Sequence, residues 1–215
     1  MNYRLRSPQP LTERSPLLVL LHGKGADEND LFALARYLDP RFTIISLRAP
    51  HEMAPGYYRW YERFDSPQGS VFDEAEIRVS RLWLLQQLDE ALQATGADPT
   101  QVHLLGFSQG GAMALALALT APQKLRSVVS IAGRLLPACA PDAAPSSALQ
   151  HLDLLIQHGH LDDVVPHTES LEACRYFTAQ AVNTQFKTYA AGHTISPAML
   201  KDAVDFLRNQ LDSSL

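Results

Sequence analysis

Leu17-Leu18-Val19-Leu20-Leu21 is an unbroken aliphatic run, too short for a helix and apolar at every position. Such a run predicts a strand buried on both faces, as in a parallel sheet. Comparable stretches place strands at Thr43–Leu47, Val102–Leu105, Ser127–Ile131, Leu152–Gln157 and Gln185–Tyr189, with a short edge strand open at Tyr3–Arg6. Between them the period changes. Ile77, Leu84, Leu88 and Leu92 recur at helical spacing behind Asp73, a candidate cap, and Gly96 supplies a stop. Gln109–Thr120 is nearly all Ala, Leu and Met, and a helix apolar all round belongs in the centre of the fold. Leu171, Cys174, Phe177 and Ala181 mark one face of a further helix. Leu200, Val204, Leu207 and Leu211 mark a face of the last, which Ser196 and Pro197 start as N-cap and first-turn proline. Strand alternating with helix predicts an α/β fold, a mostly parallel sheet with helices on both faces. Pro137–Ser147, rich in Pro, Ala and Ser, reads as a loop that borders the site or merely connects.

Composition narrows the class. A chain of 215 residues suits a single domain, 1–215, with a sizeable core. The net charge of −5, without a block of like charges, argues against nucleic acid as a partner. The start of the chain lacks the apolar segment of a signal peptide, and no apolar run approaches membrane-spanning length, so no stable membrane insertion is expected. Cys139 and Cys174 have no metal or redox spacing and read as free thiols. A cytoplasmic protein is the expectation.

The candidate chemistry sits where predicted strands end. Gly106-Phe107-Ser108-Gln109-Gly110 follows a strand and opens the apolar helix, the context in which a G-x-S-x-G serine becomes a nucleophile. Glycine two positions either side avoids a clash in the sharp turn. A serine hydroxyl is a weak nucleophile near neutrality, so a base and an orienting acid are required. On an α/β-hydrolase scaffold they follow in the order Ser, Asp/Glu, His. Asp162 and Asp163 both lie in the polar loop after the strand at Leu152–Gln157, and His193 lies in the loop after the last strand. All fall on one edge of the sheet, where α/β sites form. Upstream, His22-Gly23-Lys24-Gly25 ends the Leu17–Leu21 strand where a backbone donor of an oxyanion hole is expected. The main-chain N–H groups of Lys24 and Gln109 are the candidate pair.

Four segments together resemble the signature blocks of the phospholipase/carboxylesterase family, which includes bacterial carboxylesterases and acyl-protein thioesterases. They are His22–Leu31, Gly106–Gly111, His158–Pro166 and Gly192–Ser196, and the likeness runs from about Leu17 to the C-terminus. The resemblance puts the catalytic acid on Asp162 rather than Asp163. It implies the α/β-hydrolase fold and the triad Ser108, Asp162 and His193. It also implies a serine carboxylesterase. Small to medium acyl esters are expected because the strands and helices leave little chain for a large lid and the Tyr57–Phe64 loop suits a shallow pocket, and no cofactor is expected because the acyl group rides on the serine. Gly56–Tyr61 resembles the family's aromatic block beside the active site, which makes Trp60, Tyr61, Arg134 and Leu135 the expected pocket. There and at Ala132-Gly133-Arg134 the chain departs from the eukaryotic thioesterases and is closer to the bacterial esterases. The expected partner is a small-molecule ester, and a homodimer is open.

Rival readings remain at this stage. The same triad serves an acyl-protein thioesterase or a lysophospholipase, and a hydrolase fold can persist as an inactive binding protein. The last is disfavoured because a pure binder has no use for three triad members. His151, His158 and His160 lack metal-ligand spacing, so no metal is expected; His158 is assigned to bracing the acid loop and His160 to solvent. The aromatics Tyr57, Tyr58, Trp60, Tyr61 and Phe64 either wall an acyl pocket or anchor their own loop onto the core. The acidic stretch Asp65–Glu76 reads as helix N-terminal charge.

Overall fold

The aliphatic runs do become the buried centre of a sheet in the computed structural model, which describes residues 2–66 and 69–213. The chain opens with β1 (Tyr3–Arg6), β2 (Leu17–Leu21) and β3 (Thr43–Leu47), and residues 31–37 between β2 and β3 form a 3₁₀ segment. Two hairpins follow, β4 (His51–Ala54) with β5 (Tyr57–Arg59) and β6 (Arg63–Ser66) with β7 (Gly69–Phe72). Next come α1 (Glu74–Thr95), β8 (Val102–Phe107), α2 (Gln109–Thr120), β9 (Ser127–Ile131) and the single turn α3 (Ser146–Leu149). The chain closes with β10 (Asp153–Gly159), α4 (His167–Ala179), β11 (Asn183–Tyr189) and α5 (Pro197–Asp212).

Seven strands form the sheet in the order β1-β3-β2-β8-β9-β10-β11. All pairs are parallel except β1 with β3, so β1 caps one edge antiparallel. Every residue of β2, β3 and β9 is buried, as strands covered on both faces must be. Alternation along each strand divides the core in two. Leu17, Val19, Leu21 and Leu104 pack under α1, α2 and α4, whereas Leu18, Leu20, Leu105 and Leu155 pack under α5 and the 3₁₀ segment. The helix ends obey the sequence. Asp73 caps α1 by accepting the N–H of Glu76 at 3.0 Å, and Gly96 ends it in a left-handed conformation at φ 66°.

Several expectations need correction. The buried face of α4 is Ser170, Ala173 and Phe177; Leu171 and Cys174 are only partly covered, and Ala181 lies beyond the helix at φ 59°. The helix is turned so that the Ser170 hydroxyl reaches the buried His158, 2.6 Å from its Nδ1. In α5 the core residues are Met199, Ala203, Phe206, Leu207 and Leu211, while Leu200 and Val204 sit at the margin. The Pro137–Ser147 loop holds a 3₁₀ turn at Pro137–Asp142 and the start of α3. Of the acidic stretch, Asp73 and Glu76 do belong to the start of α1, whereas the Asp65 side chain and residues 67–68 lie outside what the structure describes.

Candidate active site

Ser108 sits between β8 and α2 at φ 54° and ψ −116°, a conformation that non-glycine residues rarely adopt. The strain is held by close packing on both sides. A Cβ on Gly106 would stand 2.3 Å from the Gly110 carbonyl oxygen, and one on Gly110 would stand 2.0 Å from that of Leu21. Neither position admits a side chain. The Ser108 N–H is fixed by the Ile131 carbonyl at 2.8 Å, one strand over.

His193 Nε2 lies 3.0 Å from Ser108 Oγ, and its Nδ1 lies 2.7 Å from Asp162 Oδ2. With Asp162 ionised, Nδ1–H donates to the carboxylate and Nε2 is left to accept the serine proton. The other carboxylate oxygen, Oδ1, accepts the N–H groups of Val164 and Val165 at 2.9 and 2.8 Å. Burial by itself raises the Asp162 carboxyl, but the Val165 N–H, His193 and the Val164 N–H together hold it below the ordinary range. Asp163, the other acid left open by position, instead lines an outer cleft.

His158 braces this loop from beneath. Fully buried, its Nε2 lies 2.9 Å from the Val165 carbonyl and 3.1 Å from Asp162 Oδ2. Facing two acceptors, Nε2 carries the proton, while Nδ1 lies 2.6 Å from the Ser170 hydroxyl, which itself donates to the Gly133 carbonyl at 2.7 Å. His22 is likewise buried; its Nδ1 donates to the Gly23 carbonyl at 2.7 Å and its Nε2 accepts the Ala49 N–H at 3.0 Å. It fixes the turn that carries Lys24. Among the described residues, no cluster of three or more His, Cys, Asp or Glu has the arrangement of a metal site.

Lys24 and Gln109 both border the inner cleft beside Ser108, a space of about 90 Å³. Gln109 stands at the start of α2, where the first N–H groups have no carbonyl within the helix to bond. Its side chain does something the sequence did not reveal. Oε1 accepts the Trp60 N–H at 3.0 Å and Nε2 donates to the Tyr61 carbonyl at 2.8 Å. The Lys24 ammonium pairs with Glu62 at 2.7 Å.

Trp60, expected in the pocket wall, is fully buried beneath it. Its indole N–H donates to the His22 carbonyl at 2.8 Å, so it anchors the segment rather than meeting substrate. Tyr61 does line the inner cleft, and burial raises its hydroxyl pKa so that it stays protonated. Arg134 borders both the inner cleft and an outer one of about 570 Å³, whereas Leu135 borders only the outer. Tyr57 and Phe64 are largely exposed and border neither the inner nor the outer cleft. Arg63 and Phe72, absent from the sequence reading, complete the inner wall from β6 and β7. No periodicity announced these hairpins, although Pro55-Gly56 ahead of Tyr57-Tyr58 is a turn signal. On the far side of Ser108 a third cleft of about 240 Å³ is bordered by His193, Phe107, Leu31, Leu34, Ile195 and Asp30.

Comparison with known proteins bears on this geometry. Residues 8–211 match the family model described as Phospholipase/Carboxylesterase. The chain is 26% identical to an acyl-protein thioesterase 1 of Saccharomyces cerevisiae, covering 91% of this chain and 93% of that one. It is 30% identical to a probable carboxylesterase of Oryza sativa subsp. japonica, over 89% and 86% of the two chains. Among solved structures it resembles esterase PE8, with a TM-score of 0.84 at 27% identity over 96% and 97% of the two chains. The Bacillus cereus carboxylesterase shares the fold, with a TM-score of 0.83 at 22% identity over 98% and 94%.

Proposed function

The chain belongs to the phospholipase/carboxylesterase family, a family of esterase-type α/β-hydrolases, and from that premise we propose that it is a serine carboxylesterase for short acyl esters. The observation that carries this reading is the continuous line Ser108 Oγ, His193 Nε2, His193 Nδ1 and Asp162 Oδ2, with links of 3.0 and 2.7 Å across the ring.

In this reading Ser108 Oγ attacks the acyl carbon while His193 Nε2 takes its proton. The C–O π pair moves onto the carbonyl oxygen, and the Lys24 and Gln109 N–H groups meet the resulting oxyanion. Collapse breaks the bond to the leaving alkoxide, which receives the proton from His193. Water then attacks the acyl-serine with His193 as base, and collapse returns the proton to Ser108 and releases the carboxylic acid. Asp162 orients the imidazole and stabilises its charged form. No step requires a cofactor.

The inner cleft of about 90 Å³ supports a short acyl chain over a long one. Beyond it the cleft mixes Phe72, Leu135, Val164 and two prolines with Arg63, Arg134, Asp163, Glu169 and Glu172, so a long alkyl tail would desolvate charge as it buried apolar surface. Two free thiols, Cys139 and Cys174, support a cytoplasmic setting, and no helix among the described residues is long and apolar enough to cross a membrane. The test has two arms. A fluorophosphonate probe should label Ser108 in folded protein, and absence of labelling would sink the hydrolase reading. Across p-nitrophenyl esters, kcat/KM should climb and then fall at short-to-medium chains. A steady climb through palmitoyl esters would favour the thioesterase or lysophospholipase reading.

A further inference from the structure

We infer that the acyl pocket selects a short acyl group ending in a carboxylate, with Arg134 as the residue that reads it. The inference rests on the serine-hydrolase reading and names its substrate class: monoesters of short dicarboxylic acids.

Charge is distributed unevenly around Ser108. The protein carries a net −5, yet the charged residues bordering the inner cleft are Lys24, Arg63 and Arg134, all cations, of which Lys24 is already paired with Glu62. The acids Asp163, Glu169 and Glu172 border only the outer space. A cleft lined by one sign within low-dielectric walls concentrates potential and favours an anion.

Arg134 is built into this wall. Its relative exposure is 7%, and the guanidinium lies 5.1 Å from the centre of the Phe72 ring. Among the described residues it makes one hydrogen bond, a single contact from Nη1 to Glu169 Oε1 at 3.2 Å. A guanidinium carries five N–H donors in a fork that matches a carboxylate, so one contact leaves capacity for a bidentate partner. Burial in a desolvated wall makes such a pair stronger than it would be in water.

The geometry also says which half of the ester carries the charge. The leaving alcohol must depart where His193 can protonate it, and His193 borders the cleft lined by Leu31, Leu34, Phe107 and Ile195. That cleft holds no cation, and its one charged residue is Asp30. An anionic leaving group would be repelled there. The acyl group extends to the other side of Ser108, towards Arg134.

The experiment compares monomethyl glutarate with methyl 5-methylhexanoate, which replaces the carboxylate by an isopropyl group of the same shape, in a pH-stat. Wild type should favour the anionic ester by roughly tenfold or more in kcat/KM, with the gain shrinking as salt is raised. Arg134→Met should bring the ratio to about one or below, and Arg134→Lys should restore part of it. Glutarate binding to Ser108→Ala, followed by calorimetry, reads the anion site without turnover and should vanish when Arg134→Met is added. Equal or poorer turnover of the anionic ester by wild type, or a ratio indifferent to Arg134, overturns the inference while leaving the hydrolase reading intact. Turnover that survives Ser108→Ala overturns that reading instead, and glutarate binding then judges Arg134 on its own.

Discussion

Two parts of the molecule meet at Ser108, and they are held by different physics. The sheet edge is fixed by exclusion: Gly106, Gly110 and Gly159 stand where a Cβ would fall 2.0–2.3 Å from a backbone oxygen. Main-chain N–H groups and the buried His158 then hold the Asp162 carboxylate. The hairpin wall is tied on by side chains that reach across long stretches of sequence. Gln109 grips the Trp60–Tyr61 backbone, and the Ser80 hydroxyl donates to the Trp60 carbonyl. Glu76 accepts from Arg59 at 2.8 Å and from the Glu62 N–H at 2.6 Å. The edge admits no change of shape. The wall can change its residues while its ties persist, so selectivity is separable from chemistry.

The hardest blow to that separation falls on the edge. Ser108→Ala and His193→Ala should each remove nearly all turnover, on the order of 10⁵–10⁶ in kcat, and the double mutant should lose little more because the pair acts as one unit. Asp162→Asn should cost on the order of 10⁴ by favouring the wrong imidazole tautomer, and Asp163→Asn far less. Single-turnover kinetics on one p-nitrophenyl ester measures all five proteins. Additive Ser108 and His193 losses would break the shared proton transfer, and a reversed order for the two aspartates would move the acid.

The same contrast explains what could be read from sequence. The boundaries of β2, β3, β9 and α2 were legible because uninterrupted apolar runs and glycine turns are local signals. The candidate triad was legible too, since each member follows a strand of the sheet. The wall was not. Its four short strands pair as two hairpins, of which β4 and β5 are half-exposed and bury no continuous face, and what ties the segment between the hairpins is Gln109 reaching back 49 residues to Trp60. No periodicity encodes a contact of that kind. Trp60 misled for the same reason: an aromatic in an aromatic block serves equally as wall or anchor, and only the His22 carbonyl at 2.8 Å decides. The core-facing stripes of α4 and α5 slipped because the spacing was keyed to Leu171 and Leu200, whereas the buried positions include the polar Ser170 and the small Ala203.

A middle-sized effect should come from Gln109→Ala. The main-chain N–H at 109 is kept, while the Trp60 N–H and Tyr61 carbonyl lose their buried partner at about 1–3 kcal/mol each. We expect Tm to fall by roughly 4–24 °C for a chain of this size. The kcat on an acetyl ester should fall less than about tenfold, with the larger loss in KM as the Tyr61 wall loosens. A drop near that of Asp162→Asn would show that wall and edge are one machine.

The smallest effect separates the two regions by pH. Three buried histidines belong to the sheet: His22 just past β2, His103 in β8 and His158 in β10. Burial lowers all three, and pushes His103 down to about 3. A histidine kept neutral in the fold binds its proton more readily when unfolded, so stability is full above the unfolded value of roughly 6.5 and falls as pH drops below it. The loss for His103 continues until its folded value near 3 is reached. The wall responds differently. Lys24 leads the groups that hold the Glu62 carboxyl below its usual range, against burial, so that tie persists until the pH is well into the carboxylate region. Asp162 is also held low, and its contribution is lost only as pH falls from about 4 through its folded value. Between pH 6.5 and 4.5 the sheet histidines therefore lead the acid response, opposed by Asp30, whose carboxyl is raised by burial and gains stability for the fold as it takes up its proton. Urea unfolding should show stability declining there, by up to about 1.4 kcal/mol per pH unit for each histidine. His103→Leu should flatten that slope by on the order of one such increment, whatever it does to stability at neutral pH. An identical slope in wild type and variant would remove His103 from the acid response and leave that response to His22 and His158.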